Sequence, residues 1–292
     1  MQRHNESQRL KWALIISGLY FFAELIAGFM TNSLALLSDA GHMLSDIGAL
    51  SLSLFAFRMA QRPATLQSTY GYHRIEILAA LFNGLMLWLI VGIIFAAAYG
   101  RFFHPPVVDS QGMMIVAVVG LLVNLAAAAI LHGGHRHNLN LRGAFLHVIS
   151  DAVGSVGAII AGLVMMTTGW YLADPLISFF IGVLILFSSW SLVRDSLSVL
   201  MQTVPKGIRL EEVRETIEAV DGVSAVHDLH IWGLSTRENA LTAHLIMPDK
   251  NFTDEDYQEI NHILTHDFKI QHVTLQIEKG NSENPCGQAV KC

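Results

Sequence analysis

EILAALFNGLMLWLIVGIIFAAAYG, residues 76–100, is the stretch that decides the architecture. Past Glu76 it carries no charge, and its length matches the roughly 20 apolar residues that a helix needs to cross a bilayer core. Working outward, residues 12–30, 33–57, 112–132, 143–167 and 173–197 read the same way. Breakers separate the six: Thr31-Asn32-Ser33, Gln61-Arg62-Pro63, His104-Pro105-Pro106, Gly133-Gly134 and Thr167-Thr168-Gly169. Of the 292 residues 52% are hydrophobic and 14% charged, against about a quarter charged in soluble domains. An ordinary cytosolic enzyme is excluded. All six lysines (Lys11, Lys206, Lys250, Lys269, Lys279 and Lys291) lie outside residues 12–205, so the charge-poor part ends where a polar part begins. A net charge of −6 offers no basic surface for nucleic acid. The first eleven residues are polar and the apolar run after them exceeds a signal h-region, so no cleavable signal peptide is expected.

Short-loop arginines and lysines set the orientation. One side collects Arg3, Arg9, Lys11, Arg58, Arg62, Arg74, Arg136, Arg142 and Arg194, while the other has Arg101 alone. Both termini are therefore expected in the cytosol. The expected division is a cytosolic N-terminus (1–11), a six-span bundle (12–204), a cytosolic domain (205–280) and a flexible tail (281–292). Within the third part, residues 209–220 and 254–267 have helical periodicity, the latter opened by the cap-like Thr253. Residues 223–232, 239–247 and 273–278 alternate like strands. The order α-β-β-α-β predicts a small α+β sandwich of ferredoxin or metallochaperone type, with helices on one face of an antiparallel sheet.

Ionisable residues inside a span are costly and face a polar interior. Here they repeat. The second stretch reads Ser38-Asp39-Ala40-Gly41-His42-Met43-Leu44-Ser45-Asp46, and the fifth reads His147-Val148-Ile149-Ser150-Asp151. Each contains His-x-x-x-Asp with serine before the aspartate, and residues four apart share a helix face. Brought together, the faces offer two nitrogens and two oxygens, a tetrahedral set suited to Zn2+. Two carboxylates also neutralise one divalent ion. No thiol lies in the spans, which argues against Cu(I), and Mg2+ prefers oxygen alone. A second reading stays open: each pair is a polar clamp between helices. Asp39 is either a partner of the His42 ring, a proton acceptor, or an interhelical hydrogen bond. Glu24, Asn83 and Asn124 read as interior polar contacts, with a pathway role for Glu24 as the alternative.

At these residues the sequence resembles the cation diffusion facilitator family, in its zinc-transporter branch. The resemblance rests on 33–46 (SLALLSDAGHMLSD), Tyr70-Gly71-Tyr72-His73-Arg74-Ile75-Glu76, His147 to Asp151, and Val226-His227-Asp228-Leu229-His230-Ile231-Trp232. It implies a homodimeric antiporter that moves Zn2+ out of the cytosol against H+ by alternating access. It also implies that His42, Asp46, His147 and Asp151 form the transport site, and His42 rather than Asp favours zinc over cadmium. In the cytosolic domain it places metal ligands at His227, His244 and Glu278, with Cys286 and Cys292 as accessory donors. Gln276 stands where some relatives carry another histidine, which weakens a two-metal version. His73 is assigned to the dimer interface or the cytosolic entry. Relatives that pair the basic residue of that loop with an acid near the post-span proline differ here, because Leu200, Met201 and Gln202 occupy the approach. His132, His135 and His137 form either a short metal-collecting loop or an ordinary linker. The compact size suits a bacterial inner membrane.

Two other classes of protein also place metal-binding side chains in a membrane. An intramembrane metalloprotease needs three ligands, a water position and a base, and no His-Glu-x-x-His motif occurs. A metal sensor with the cytosolic domain as output differs from a carrier in moving no metal.

Overall fold

The computed structural model describes the backbone of residues 2–132, 139–235, 238–249 and 251–280. It describes their side chains apart from 2–14, 50, 53, 57, 132, 139–144, 146 and 147. His135, His137, Cys286 and Cys292 lie outside the described residues, as do the side chains of His132 and His147. Six long helices come first: α1 (Gln2–Thr31), α2 (Leu34–Ala60), α3 (Arg74–Phe103), α4 (Ser110–His132), α5 (Leu139–Thr168) and α6 (Ala173–Leu200). Helices α2 to α6 each hold a stretch long and apolar enough to cross a membrane, and Ile15–Thr31 supplies a shorter apolar stretch within α1. Helix α1 begins at Gln2 rather than at residue 12, because residues 2–11 hold neither glycine nor proline and are rich in good helix formers.

The chain divides into two compact units, Met1–Leu52 with Phe82–Ser191, and Ser53–Leu81 with Leu192–Cys292. In the first, α4 packs on α1 and α5. Small residues make the close approach possible: Ala35, Ala117, Ala158 and Ala161 share a buried cluster with Leu36, Met113 and Met165. Gly120 is required on α4, since a β-carbon there would run into the Tyr20 phenol of α1. Between α3 and α6, the Trp88 and Trp190 rings stack at 5.6 Å and Trp88 Nε1 donates to Ser189 Oγ at 3.1 Å. Where α1 turns into α2, Asn32 sits at φ 55°, a left-handed position asparagine tolerates. Arg101 from the end of α3 donates to the Asn32 carbonyl and to Asp174 of α6.

The second unit holds α7 (Leu210–Glu218), β1 (Ala225–Gly233), β2 (Asn239–Ile246), α8 (Asp254–His266) and β3 (His272–Glu278). The strands lie in the order β1-β2-β3. Val213, Ile217, Ile260 and Leu264 of the helices pack on Val226, Leu229, Ile231, Leu241 and Leu245 of the sheet, which leaves the opposite sheet face to the polar alternates. The sheet is mixed, not antiparallel: β2 pairs antiparallel with β1 but parallel with β3. The reason is α8, which forms a crossover between β2 and β3 and returns the chain in the same direction. Thr253 caps α8 in a reciprocal capping box, with Asp256 N–H donating to Thr253 Oγ1 and Thr253 N–H donating to Asp256 Oδ2 at 2.8 Å. Thr253→Ala is expected to cost about 1 kcal/mol of domain stability, read as a lowered denaturation midpoint.

Candidate metal sites

Two donor constellations emerge, one in each unit. In the first unit, α2 places His42 and Asp46 one turn apart, and α5 brings Asp151 beside them. His42 Nε2 stands 3.8 Å from Asp46 Oδ2 and 4.0 Å from Asp151 Oδ1. Donors around a tetrahedral ion with bonds of about 2.0–2.2 Å are roughly 3.3–3.6 Å apart. The two edges to His42 are slightly wider than that, and the three donors do not all lie within 4.8 Å of one another. His147 lies on α5 one turn before Asp151. Asp39 is buried and faces α5, where a β-carbon at Gly154 would stand 3.7 Å from its Oδ1. Ser45 Oγ meets Asn83 Oδ1 at 3.2 Å, and Tyr20 Oη donates to the buried Glu24 at 3.1 Å. Both are interior polar contacts of the kind the sequence suggests.

In the second unit the polar sheet face gathers the other set. His227 on β1 is paired directly with His244 on β2, and His244 with Gln276 on β3. Glu278 lies one pleat further on and splits its carboxylate between the two histidines. Its Oε2 is 3.0 Å from His227 Nε2 and its Oε1 is 2.9 Å from His244 Nδ1. Among the described residues, His227, His244 and Glu278 form the group of three whose donor atoms all lie within 4.8 Å of one another. Gln276 Nε2 donates to Glu278 Oε1 at 3.0 Å, so this position holds a ligand candidate in place rather than adding a donor nitrogen. Partial burial works to raise the Glu278 pKa, but hydrogen bonds from His227 and Gln276 and the nearby imidazoles outweigh it and hold the carboxyl below its usual value. The set fits a borderline-soft divalent cation: two imidazoles and an ionised carboxylate on three adjacent strands.

One residue was not assigned from the sequence. Asp228 sits at a β-bulge between His227 and His230 with φ 49°. The extra residue resets the alternation, so His227 and His230 share the polar face while Val226, Leu229 and Ile231 share the core. The signal was present: apolar positions 226, 229 and 231 break the period of two. The loop that holds His73 belongs to the same unit. His73 Nδ1 is 3.8 Å from Glu238 Oε2, and the Tyr70 ring meets the His272 ring edge-on at 6.0 Å.

Helices of membrane length carrying an imidazole and carboxylates in their interior, followed by an α+β domain with a second donor cluster, define a multi-pass integral membrane protein built to handle metal cations. Comparison with known proteins makes this specific: residues 10–201 match the cation efflux transmembrane domain and residues 205–280 the cation efflux protein cytoplasmic domain. The chain belongs to the cation efflux family, the cation diffusion facilitators, in its zinc-transporter branch. It is similar to a cadmium, cobalt and zinc/H(+)-K(+) antiporter of Bacillus subtilis, with 45% identity over 94% of this chain and 91% of the relative. It is similar also to the metal cation efflux system protein CzcD of Cupriavidus metallidurans, with 43% identity over 96% of this chain and 88% of the relative. The zinc transporter ZitB of Escherichia coli is 38% identical over 94% of this chain and 88% of the relative. The family is one of transporters, not enzymes, and its activity is metal-cation efflux.

Proposed function

We propose that this protein exports Zn2+ from the cytosol in exchange for H+, through alternating access of a site formed by His42, Asp46, His147 and Asp151. The observation that carries the reading is the approach of His42 Nε2 to carboxylate oxygens of both Asp46 and Asp151, on two different helices, at 3.8 and 4.0 Å. To take a tetrahedral ion, the Asp46 and Asp151 carboxylates must draw toward each other as well as toward His42. Two aspartates offset the charge of a divalent ion at membrane depth. Ligands must be deprotonated to bind metal, so proton and Zn2+ compete for the same atoms, and the antiporter name of the Bacillus subtilis relative supports exchange.

The proposal extends to the rest of the molecule. The N-terminus (1–11), the domain 205–280 and the tail 281–292 lie in the cytosol of a bacterial cell, with the bundle 12–204 in its inner membrane. Two copies associate, in keeping with the match of residues 205–280. His227, His244 and Glu278 hold a Zn2+ ion in that domain, where it would cross-link three strands through one centre.

The test is Zn2+ uptake into proteoliposomes. With an acidic lumen, uptake is expected to accelerate and the lumen to become more alkaline as metal enters. Uptake indifferent to the proton gradient, or driven equally by a potassium gradient alone, would overturn proton exchange. Absence of any uptake would overturn the transport reading itself.

A further inference from the structure

Neutral imidazole has one nitrogen that carries a proton and one that can bind metal, so a histidine ligand works only in the right tautomer. His244 has both of its nitrogens addressed. Nδ1 faces Glu278 Oε1 at 2.9 Å, on the side where His227 Nε2 also meets Glu278. Nε2 faces the opposite way, 3.6 Å from Asp228 Oδ2. The second oxygen of Asp228 lies 3.0 Å from His230 Nε2. The contacts therefore run in one line: His230, Asp228, His244, then the gathered donors.

We propose that Asp228 is a positioning residue for the cytosolic metal site. At 3.6 Å from His244 Nε2 it needs a shift of a few tenths of an ångström to accept that proton, which turns the Nδ1 lone pair toward the ion, while His230 braces the carboxylate from its other side. This rests on reading His227, His244 and Glu278 as ligands. A carboxylate behind a metal-binding imidazole fixes its orientation and raises its basicity. Asp228 reaches that place only because of the bulge. In an unbroken strand, residue 228 would follow His227 onto the opposite, core-facing side of the sheet. The left-handed φ of 49° and the added residue instead bring its carboxylate to the histidine face. Such a backbone position persists where its surroundings hold it, and here the two imidazoles do so. Asp228 is not a member of the donor group itself, which comprises His227, His244 and Glu278.

The test uses the full chain in detergent with the membrane site disabled by Asp46→Ala and Asp151→Ala. Co2+ serves as the probe through its visible absorption, and the signal taken is the part lost on adding His244→Ala. Asn tolerates the left-handed region as Asp does, so Asp228→Asn leaves the backbone undisturbed. It is expected to weaken Co2+ binding about 10- to 100-fold with band positions and intensities unchanged, because the ligands remain the same. His230→Gln should give a smaller loss that disappears in the Asp228→Asn background. Affinity within two-fold of the reference in Asp228→Asn would overturn the proposal, and so would a change in the bands, which would make Asp228 a direct ligand. Absence of a His244-dependent Co2+ signal in the reference protein would instead overturn the cytosolic site, and the positioning role with it.

Discussion

Asp46→Ala is expected to abolish Zn2+-coupled proton flux in proteoliposomes while the protein still inserts and folds. The argument is one of charge. A divalent ion between α2 and α5 is neutral overall only if Asp46 and Asp151 both contribute. Without Asp46 a net positive charge stays at membrane depth, where a single charge costs about 2.5–3.5 kcal/mol on insertion scales. By itself that is a loss of about 100-fold or more in affinity, before the missing bond to the ion is counted. Folding should be spared, because Asp46 is partly exposed and the His42 ring beside it also has Asp151 within 4.0 Å. Asp46→Asn separates charge from shape: it keeps the side-chain volume and an oxygen, and it should also fail. Wild-type flux in either variant, with Zn2+ uptake intact, would remove this pair of helices from the transport path.

Much of this was legible because membrane solvation leaves a coarse, one-dimensional trace. An uncharged run such as 77–100 can hide its backbone only as a helix, so α3 reads directly from composition. The same holds for the doubled His-x-x-x-Asp, because i and i+4 must share a face. The helices and strands after residue 205 were found to within a few residues for a similar reason, since their apolar alternation is strong. The pairing of strands was less visible. Alternation reports which face a residue occupies but not its neighbour's direction, and so the parallel partnership of β2 and β3 emerges only from α8 crossing between them. The bulge at Asp228 left a mark in the spacing of Val226, Leu229 and Ile231, but its consequence, a carboxylate turned onto the histidine face, depends on a backbone angle that no pattern encodes. Position 276 shows the converse: the resemblance sets Gln276 where some relatives carry a histidine, and the fold gives it work as a donor to Glu278.

Asp174 leaves no mark of its role in the sequence, since an acid at the start of a span has the pattern of a solvated helix end. It is instead fully buried, with its carboxylate set among donors. Its Oδ1 accepts from Ser33 Oγ at 2.7 Å and from Ala35 N–H at 3.1 Å, and its Oδ2 accepts from Leu34 N–H at 2.9 Å and Arg101 at 3.0 Å. It therefore caps α2 from another helix, supplying the first-turn N–H groups with an acceptor and the positive end of the helix dipole with a negative charge. Asp174→Ala strands those donors and leaves the Arg101 guanidinium, 17% exposed, without its carboxylate. The expected cost is about 3–5 kcal/mol, as for one partner removed from a buried ion pair. Thermal unfolding in detergent should register it as a large fall in midpoint. Adding Arg101→Ala to Asp174→Ala should recover part of the loss, because the orphaned charge is then removed as well. The clamp fixes the end of α2 from which His42 and Asp46 follow by two and three turns, and so the same variant should loosen Zn2+ protection of the folded state. A midpoint within a degree or two of wild type would mean that water reaches this carboxylate and that α2 holds its place by packing alone.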